Sequence, residues 1–323
     1  MPTHAASATK RRGPLTALLA GVALAVAIGI VVIVSTSGAR PDELVEGKAT
    51  TSATRPPPSS PRASPPSSPL GPPPPIPMAT SAAPPDGALQ SAFETLRGQT
   101  AGAIGVVILP IGSAAPVVLG DWSDGAAWST SKVPLSIAAL RADPTVAGSV
   151  ASAITASDNA AAEALWSSLG DPTTAASKVE AVLREAGDPT TVQTERVAGP
   201  QFSAFGQTRW ALDHQAGFMA WLACHTGDQA VAQVWDLMDR ISSDQRWGLG
   251  GIPSTRFKGG WGPSAAGYLV RQLGVIDQGG RLTAVAIASD GNSFGSGIGD
   301  LNAIAGFLNQ HLAELPTGSC TPV

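Results

Sequence analysis

Trp128-Ser129-Thr130-Ser131-Lys132-Val133-Pro134-Leu135 sets a serine and a lysine three residues apart at the entry to a helical pattern running to about Arg141. At that spacing Ser129 and Lys132 share one helix face. Pro134 is tolerated only in a first helical turn, which places Ser129 close to the helix N-terminus. There the free N–H groups and the helix dipole favour developing negative charge. A serine hydroxyl is a poor nucleophile without a base beside it. A desolvated lysine near a second cation loses its proton readily and can serve as that base.

Two further segments follow in order. Thr155-Ala156-Ser157-Asp158-Asn159 interrupts an Ala-rich helical stretch running from Val150 to Leu169, and its Asp and Asn favour a turn that presents Ser157. Arg256-Phe257-Lys258-Gly259-Gly260-Trp261 lies on a strand pattern, where glycines let a ligand approach the backbone. Taken singly, the three have ordinary readings as a solvated helix start, a capping cluster and a hairpin bend. Their joint order is more specific than any one of them.

Outward from these segments, Ala103–Ile111 and Pro116–Trp122 read as paired strands. Strands return at Thr255–Trp261, Tyr268–Ile276 and Arg281–Ala288. Helical patterns cover Ala175–Ala186, Thr208–Cys224, Gln229–Ile241 and Leu301–Leu315. Strands at both ends with helices between predict an α+β domain over residues 87–323, its antiparallel sheet built from both chain ends and packed with helices.

In this arrangement the chain resembles the class A β-lactamases and penicillin-binding proteins, which carry Ser-x-x-Lys, Ser-Asp-Asn and Lys-Thr-Gly in the same order. The resemblance implies a serine β-lactamase-like hydrolase without a cofactor or metal, acting on a β-lactam, a peptide or an ester. Ser129 would be the acylated nucleophile, Lys132 its base, Ser157 the proton relay and Lys258 the positive charge of the site. Asn159, Gly259, Gly260 and Trp261 would contact substrate, with the backbone N–H groups of Ser129 and Trp261 forming the oxyanion hole. Three departures stand out. Gly259 replaces the hydroxyl residue that binds the substrate carboxylate in relatives. Only 28 positions separate Ser129 from Ser157, so the helical subdomain is trimmed. No Glu-Pro-x-Leu-Asn segment lies between Asn159 and Thr208, and Glu195 sits in that region in unlike surroundings. Weak or slow deacylation is therefore expected. The alternative is a catalytically inactive module that binds cell-wall components or a protein partner.

Before the domain, Lys10-Arg11-Arg12 precedes an uncharged apolar run, Leu15–Val34. About 20 apolar residues suffice to cross a bilayer, against roughly 7–15 in a signal-peptide core. Residues 14–35 are read as a retained single-pass anchor, residues 1–13 as a cytoplasmic tail and all that follows as extracytoplasmic. Residues 36–86 are a disordered Pro/Ser-rich linker, with a reach on the order of 100 Å when extended. A stalk of that kind suits work in a cell wall, with peptidoglycan as a neighbour. Cys224 and Cys320 both fall in the exported part, where oxidising conditions favour a disulfide. A net charge of −4 gives no basic stripe for nucleic acid. Gly291-Asn292-Ser293-Phe294-Gly295 fits the Gly-x-Ser-x-Gly elbow but has only Asp300 and His311 after it, which favours a loop before the last helix.

Overall fold

The computed structural model describes residues 87–113 and 115–320. The expected cytoplasmic tail, anchor and linker lie outside the described residues. Among those described, no helix is long and apolar enough to cross a membrane.

Five strands form one antiparallel sheet: β1 (Ala103–Pro110), β2 (Val117–Gly120), β3 (Thr255–Ser264), β4 (Gly267–Asp277) and β5 (Leu282–Gly291). Their order is β2-β1-β5-β4-β3. The pairing of β1 with β5, Val106 opposite Ile287, joins the two ends of the domain as the sequence pattern predicts. Ile104 to Leu109 are buried without alternation, so both sheet faces are covered. Lys258, Gly259 and Gly260 fall inside β3, opposite Leu273, Gln272 and Arg271 of β4; they do not form a hairpin bend.

Seven helices follow the first strand pair: α2 (Lys132–Ala142), α3 (Ala147–Thr155), α4 (Asn159–Ser168), α5 (Pro172–Glu185), α6 (Leu212–Cys224), α7 (Gln229–Leu237) and α8 (Phe294–Gln310). In α2 every residue from Lys132 to Leu140 is buried. A helix covered all round is a central one, and α3, α4, α5 and α7 all pack on it. Asp158, Asp171 and Asp228 each accept backbone N–H bonds at the starts of α4, α5 and α7. Such caps contribute about 1 kcal/mol apiece. The cap at Asp158 splits the Val150–Leu169 stretch into two helices.

The remaining differences from the sequence pattern are local. Helix α1 (Gly87–Arg97), not anticipated from the sequence pattern, buries Leu89 and Phe93 and sets Phe93 edge-on to Phe307 of α8. The last helix starts at Phe294 instead of Leu301, because Ser293 and Ser296 form a capping box that offsets glycines at 295, 297 and 299. Ser293 of the Gly-x-Ser-x-Gly match is thus a helix cap. Helix α6 starts at Leu212, not Thr208, since Ala126 and Arg209 pair as a β-bridge ahead of it. Cys224 and Cys320 are joined, with Cα atoms 5.3 Å apart, fastening the C-terminal tail to the end of α6.

Candidate active site

Ser129 lies in a 3₁₀ turn, Trp128–Ser131, that leads directly into α2. Three contacts hold this turn. Thr130 Oγ1 donates to Ala127 O, and Gln215 Nε2 of α6 donates to Thr130 Oγ1 at 2.8 Å. Ser131 Oγ donates to Trp128 O at 2.6 Å. Trp128 has φ +50°, a conformation unfavourable for a bulky residue, and it immediately precedes Ser129. Ser157, between α3 and α4, has φ +56°. Two non-glycine residues in the left-handed region, Trp128 next to Ser129 and Ser157 itself, hold backbone strain where the chain presents its reactive groups.

Behind the turn, Arg271 of β4 is fully buried. Its guanidinium donates to the carbonyls of Gly125 (3.0 Å), Ala126 (3.1 Å) and Trp210 (2.8 Å), and stacks over Trp122. Burial lowers its pKa to about 9, with the Asp124 carboxylate acting in the opposite direction. The segment leading into Ser129 therefore hangs from the sheet by a charged strap.

The expected residues converge on Ser157. Lys258 Nζ donates to Ser157 Oγ at 2.8 Å and to Gly259 O at 2.9 Å. Lys132 Nζ donates to Ser157 O at 2.5 Å and Asn159 Oδ1 at 2.8 Å, and stands 3.4 Å from Ser157 Oγ. Lys132 and Lys258 are 1% and 0% exposed, so neither charge is hydrated. Desolvation lowers Lys132 to about 7, while the negative charges of Asp158 and Glu163 hold it up. Burial, and after it the neighbouring Lys132 charge, drive Lys258 well below the usual lysine range. Two lysines with lowered pKa values around one hydroxyl suit proton transfer.

Ser129, Ser157, Asn159, Gln201 and Ser203 line a cavity of about 150 Å³ together with the aromatic residues Trp128, Phe202, Trp261 and Tyr268. Gly260 brings β3 against the serine turn: a Cβ there would stand 2.8 Å from both Ser129 N and Ala127 O. That contact packs β3 at Gly260, the residue before Trp261, directly on the backbone of Ser129.

Sequence reasoning missed Glu163 and the lining residues Trp128, Gln201, Phe202, Ser203 and Tyr268. Glu163 acts on Lys132 electrostatically and pairs with Arg196 at 2.9 Å. It lies four residues after Asn159 on α4, a spacing that could have flagged it. Gln201, Phe202 and Ser203 reach the cavity from an irregular loop that carries no periodic signal. Glu195 is exposed and is not among the lining residues.

No protein-family model matches this chain, and no curated protein matches it in sequence. Solved structures do. The TLA-3 extended-spectrum β-lactamase superposes with a TM-score of 0.58 at 14% identity, over 70% of this chain and 98% of that one. A β-lactamase from Streptosporangium roseum gives 0.57 at 15% identity, over 71% and 100%. One from Xanthomonas campestris gives 0.57 at 18% identity, over 70% and 97%. The chain has a serine β-lactamase-like fold. Almost the full length of each β-lactamase is covered. At such identities the likeness establishes the fold alone, and the chemistry has to come from the site.

Proposed function

We propose that the domain is a serine acyl-transfer hydrolase. The observation that carries this reading is the convergence of Lys132 and Lys258 on Ser157, in the same cavity as Ser129. In the proposed reaction, Lys132 in its neutral form takes the proton of Ser129 as Oγ attacks an acyl carbon. The N–H groups of Ser129 and Trp261 receive the developing oxyanion, an arrangement that typically lowers the barrier by about 3 kcal/mol. Ser157 then hands a proton to the departing group, and Lys258 keeps the Ser157 hydroxyl oriented.

Release of the acyl group is slow in this account. None of the residues lining the cavity is a carboxylate that could activate water, and Glu163 is occupied by Arg196. Substrates are drawn from β-lactams, peptides and esters. The proposed setting is outside the cytoplasmic membrane, at the end of the proline-rich segment. Intact-mass spectrometry after exposure to an acylating probe, beside Ser129→Ala, tests the reading.

A second reading keeps the cleft as a binding surface without chemistry. It draws on Gly259 and on the hydrogen bonds of Lys132, which go to Ser157 and Asn159, not to Ser129. A stable covalent adduct on Ser129 rules it out.

A further inference from the structure

The strand position that would offer a hydroxyl to a substrate carboxylate is closed off here. A Cβ at Gly259 would stand 3.2 Å from Cη2 of Trp247 and 3.7 Å from Cγ of Gln272, so an indole occupies the space beside it. Trp247 is fixed there from both sides. Its carbonyl accepts from Gln272 Nε2 at 2.8 Å, and the following Gly248 donates to Asn302 Oδ1 at 2.7 Å. The indole meets Trp261 edge-on at 5.8 Å, and Phe294 packs on Trp247, Trp261 and Tyr268 at 6.2, 5.2 and 6.0 Å. Gly259 and Trp261, two residues apart, share one face of β3. Trp261 and Tyr268 of the cavity lining are thus backed by an aromatic cluster that fills the space beside Gly259.

No cation replaces the missing hydroxyl. The residues lining the cavity are all uncharged. Lys132 and Lys258 lie beneath it with their Nζ atoms engaged by Ser157, Asn159 and Gly259. Arg271 is spent on three backbone carbonyls. The nearby charges that act on Lys132 are the negative ones of Asp158 and Glu163. A carboxylate entering this cavity would find only neutral hydroxyl and amide donors and no cation to offset its lost hydration, and a buried charge without a counter-charge is costly. A flat apolar group would instead stack on Trp261, Tyr268, Phe202 and Trp128, with aromatic pairs contributing about 0.5–1.5 kcal/mol each.

We propose that the cleft selects uncharged acyl donors bearing an aromatic or apolar group, such as neutral aryl esters, and discriminates against those with a carboxylate beside the scissile bond. This rests on Ser129 being the nucleophile. In the step, a bond forms between Ser129 Oγ and the acyl carbon, and the bond from that carbon to the aryl oxygen breaks. The serine proton passes by way of Lys132 and Ser157 to the departing phenoxide.

The test uses the full chain and two probes, phenyl phenylacetate and its analogue with a meta-carboxylate on the phenol ring. The rate of Ser129 acylation is read for each by intact mass. A preference of tenfold or more for the neutral ester is expected, and it should shrink at least threefold in the double variant Gly259→Thr, Trp247→Ala. Equal rates, or faster acylation by the carboxylate ester, would overturn the selectivity while leaving the acyl-enzyme reading intact. No acylation by either ester, together with no adduct from a small alkyl fluorophosphonate, would overturn both.

Discussion

Lys258 Nζ lies 2.8 Å from Ser157 Oγ, although the two residues are 101 positions apart in the chain. The same hydroxyl is 3.4 Å from Lys132 Nζ. One serine oxygen therefore joins β3, the α3–α4 turn and the start of α2, and two buried amines compete for a single proton network. Neither amine can stay charged cheaply in this setting, because desolvation penalises the cationic form.

That competition sets a pH dependence. Lys132 acts as a base only when deprotonated, and burial lowers its pKa to about 7. Acylation should rise with pH through about 7 and then level off. Asp158 and Glu163 hold the value up, so Glu163→Gln should move the rising limb to lower pH. A pH–rate profile of adduct formation checks this, and a limb that stays near the ordinary lysine range would contradict it.

Gly260 is required by close approach. In Gly260→Ala the new methyl would press on Ser129 N, Ala127 O and Thr130 N, all backbone atoms at 2.8–2.9 Å. Forced overpacking of this kind costs about 1–3 kcal/mol. Displacing one oxyanion donor lowers the rate by roughly 10²–10³. Thermal unfolding and acylation rates measured together should show a modest loss of stability with a far larger loss of activity. Unchanged acylation would refute the placement of Trp261 N beside Ser129 N.

Arg271→Met removes the donor shared by Gly125, Ala126 and Trp210. Stranding buried acceptors costs on the order of 1–3 kcal/mol, so the melting temperature should fall by several degrees. Arg271→Lys should recover only part of it, since a single ammonium lacks the planar fork. Full recovery by lysine would mean that charge alone holds the strap.

The bond between Cys224 and Cys320 closes a loop with a sequence separation of 96. Removing a link of this span commonly costs about 2–4 kcal/mol, chiefly through the unfolded chain. Cys320→Ser or reduction should lower thermal stability by that order while leaving Ser129 acylation measurable. Urea titration of the reduced and oxidised chains gives the difference, and coincident curves would contradict it.

The strands are legible as short continuous apolar runs rich in Val, Ile and Leu, and most helices as period-3.6 patterns started by Asp caps. The three motifs carried enough of the site to predict that Ser129, Lys132, Ser157, Asn159 and Lys258 come together. What stayed hidden lacks periodicity. The loop holding Gln201, Phe202 and Ser203 obeys no repeat, and glycines at 295, 297 and 299 mask the helical pattern in the first turns of α8. Trp247 beside Gly259 joins residues from an irregular turn and a strand, a contact that only the folded backbone makes. Glu163 was passed over because its effect on Lys132 acts through space instead of through a motif.

The central claim is that Ser129 is a nucleophile served by Lys132. The most direct measurement is intact-mass spectrometry of the full chain after brief and prolonged exposure to an acylating probe, beside Ser129→Ala and Lys132→Ala. The account predicts one adduct of the acyl mass on Ser129 that persists over hours, is absent in Ser129→Ala and forms at least a hundredfold more slowly in Lys132→Ala. An adduct that forms equally in Ser129→Ala, or none with any β-lactam, ester or fluorophosphonate, would contradict it.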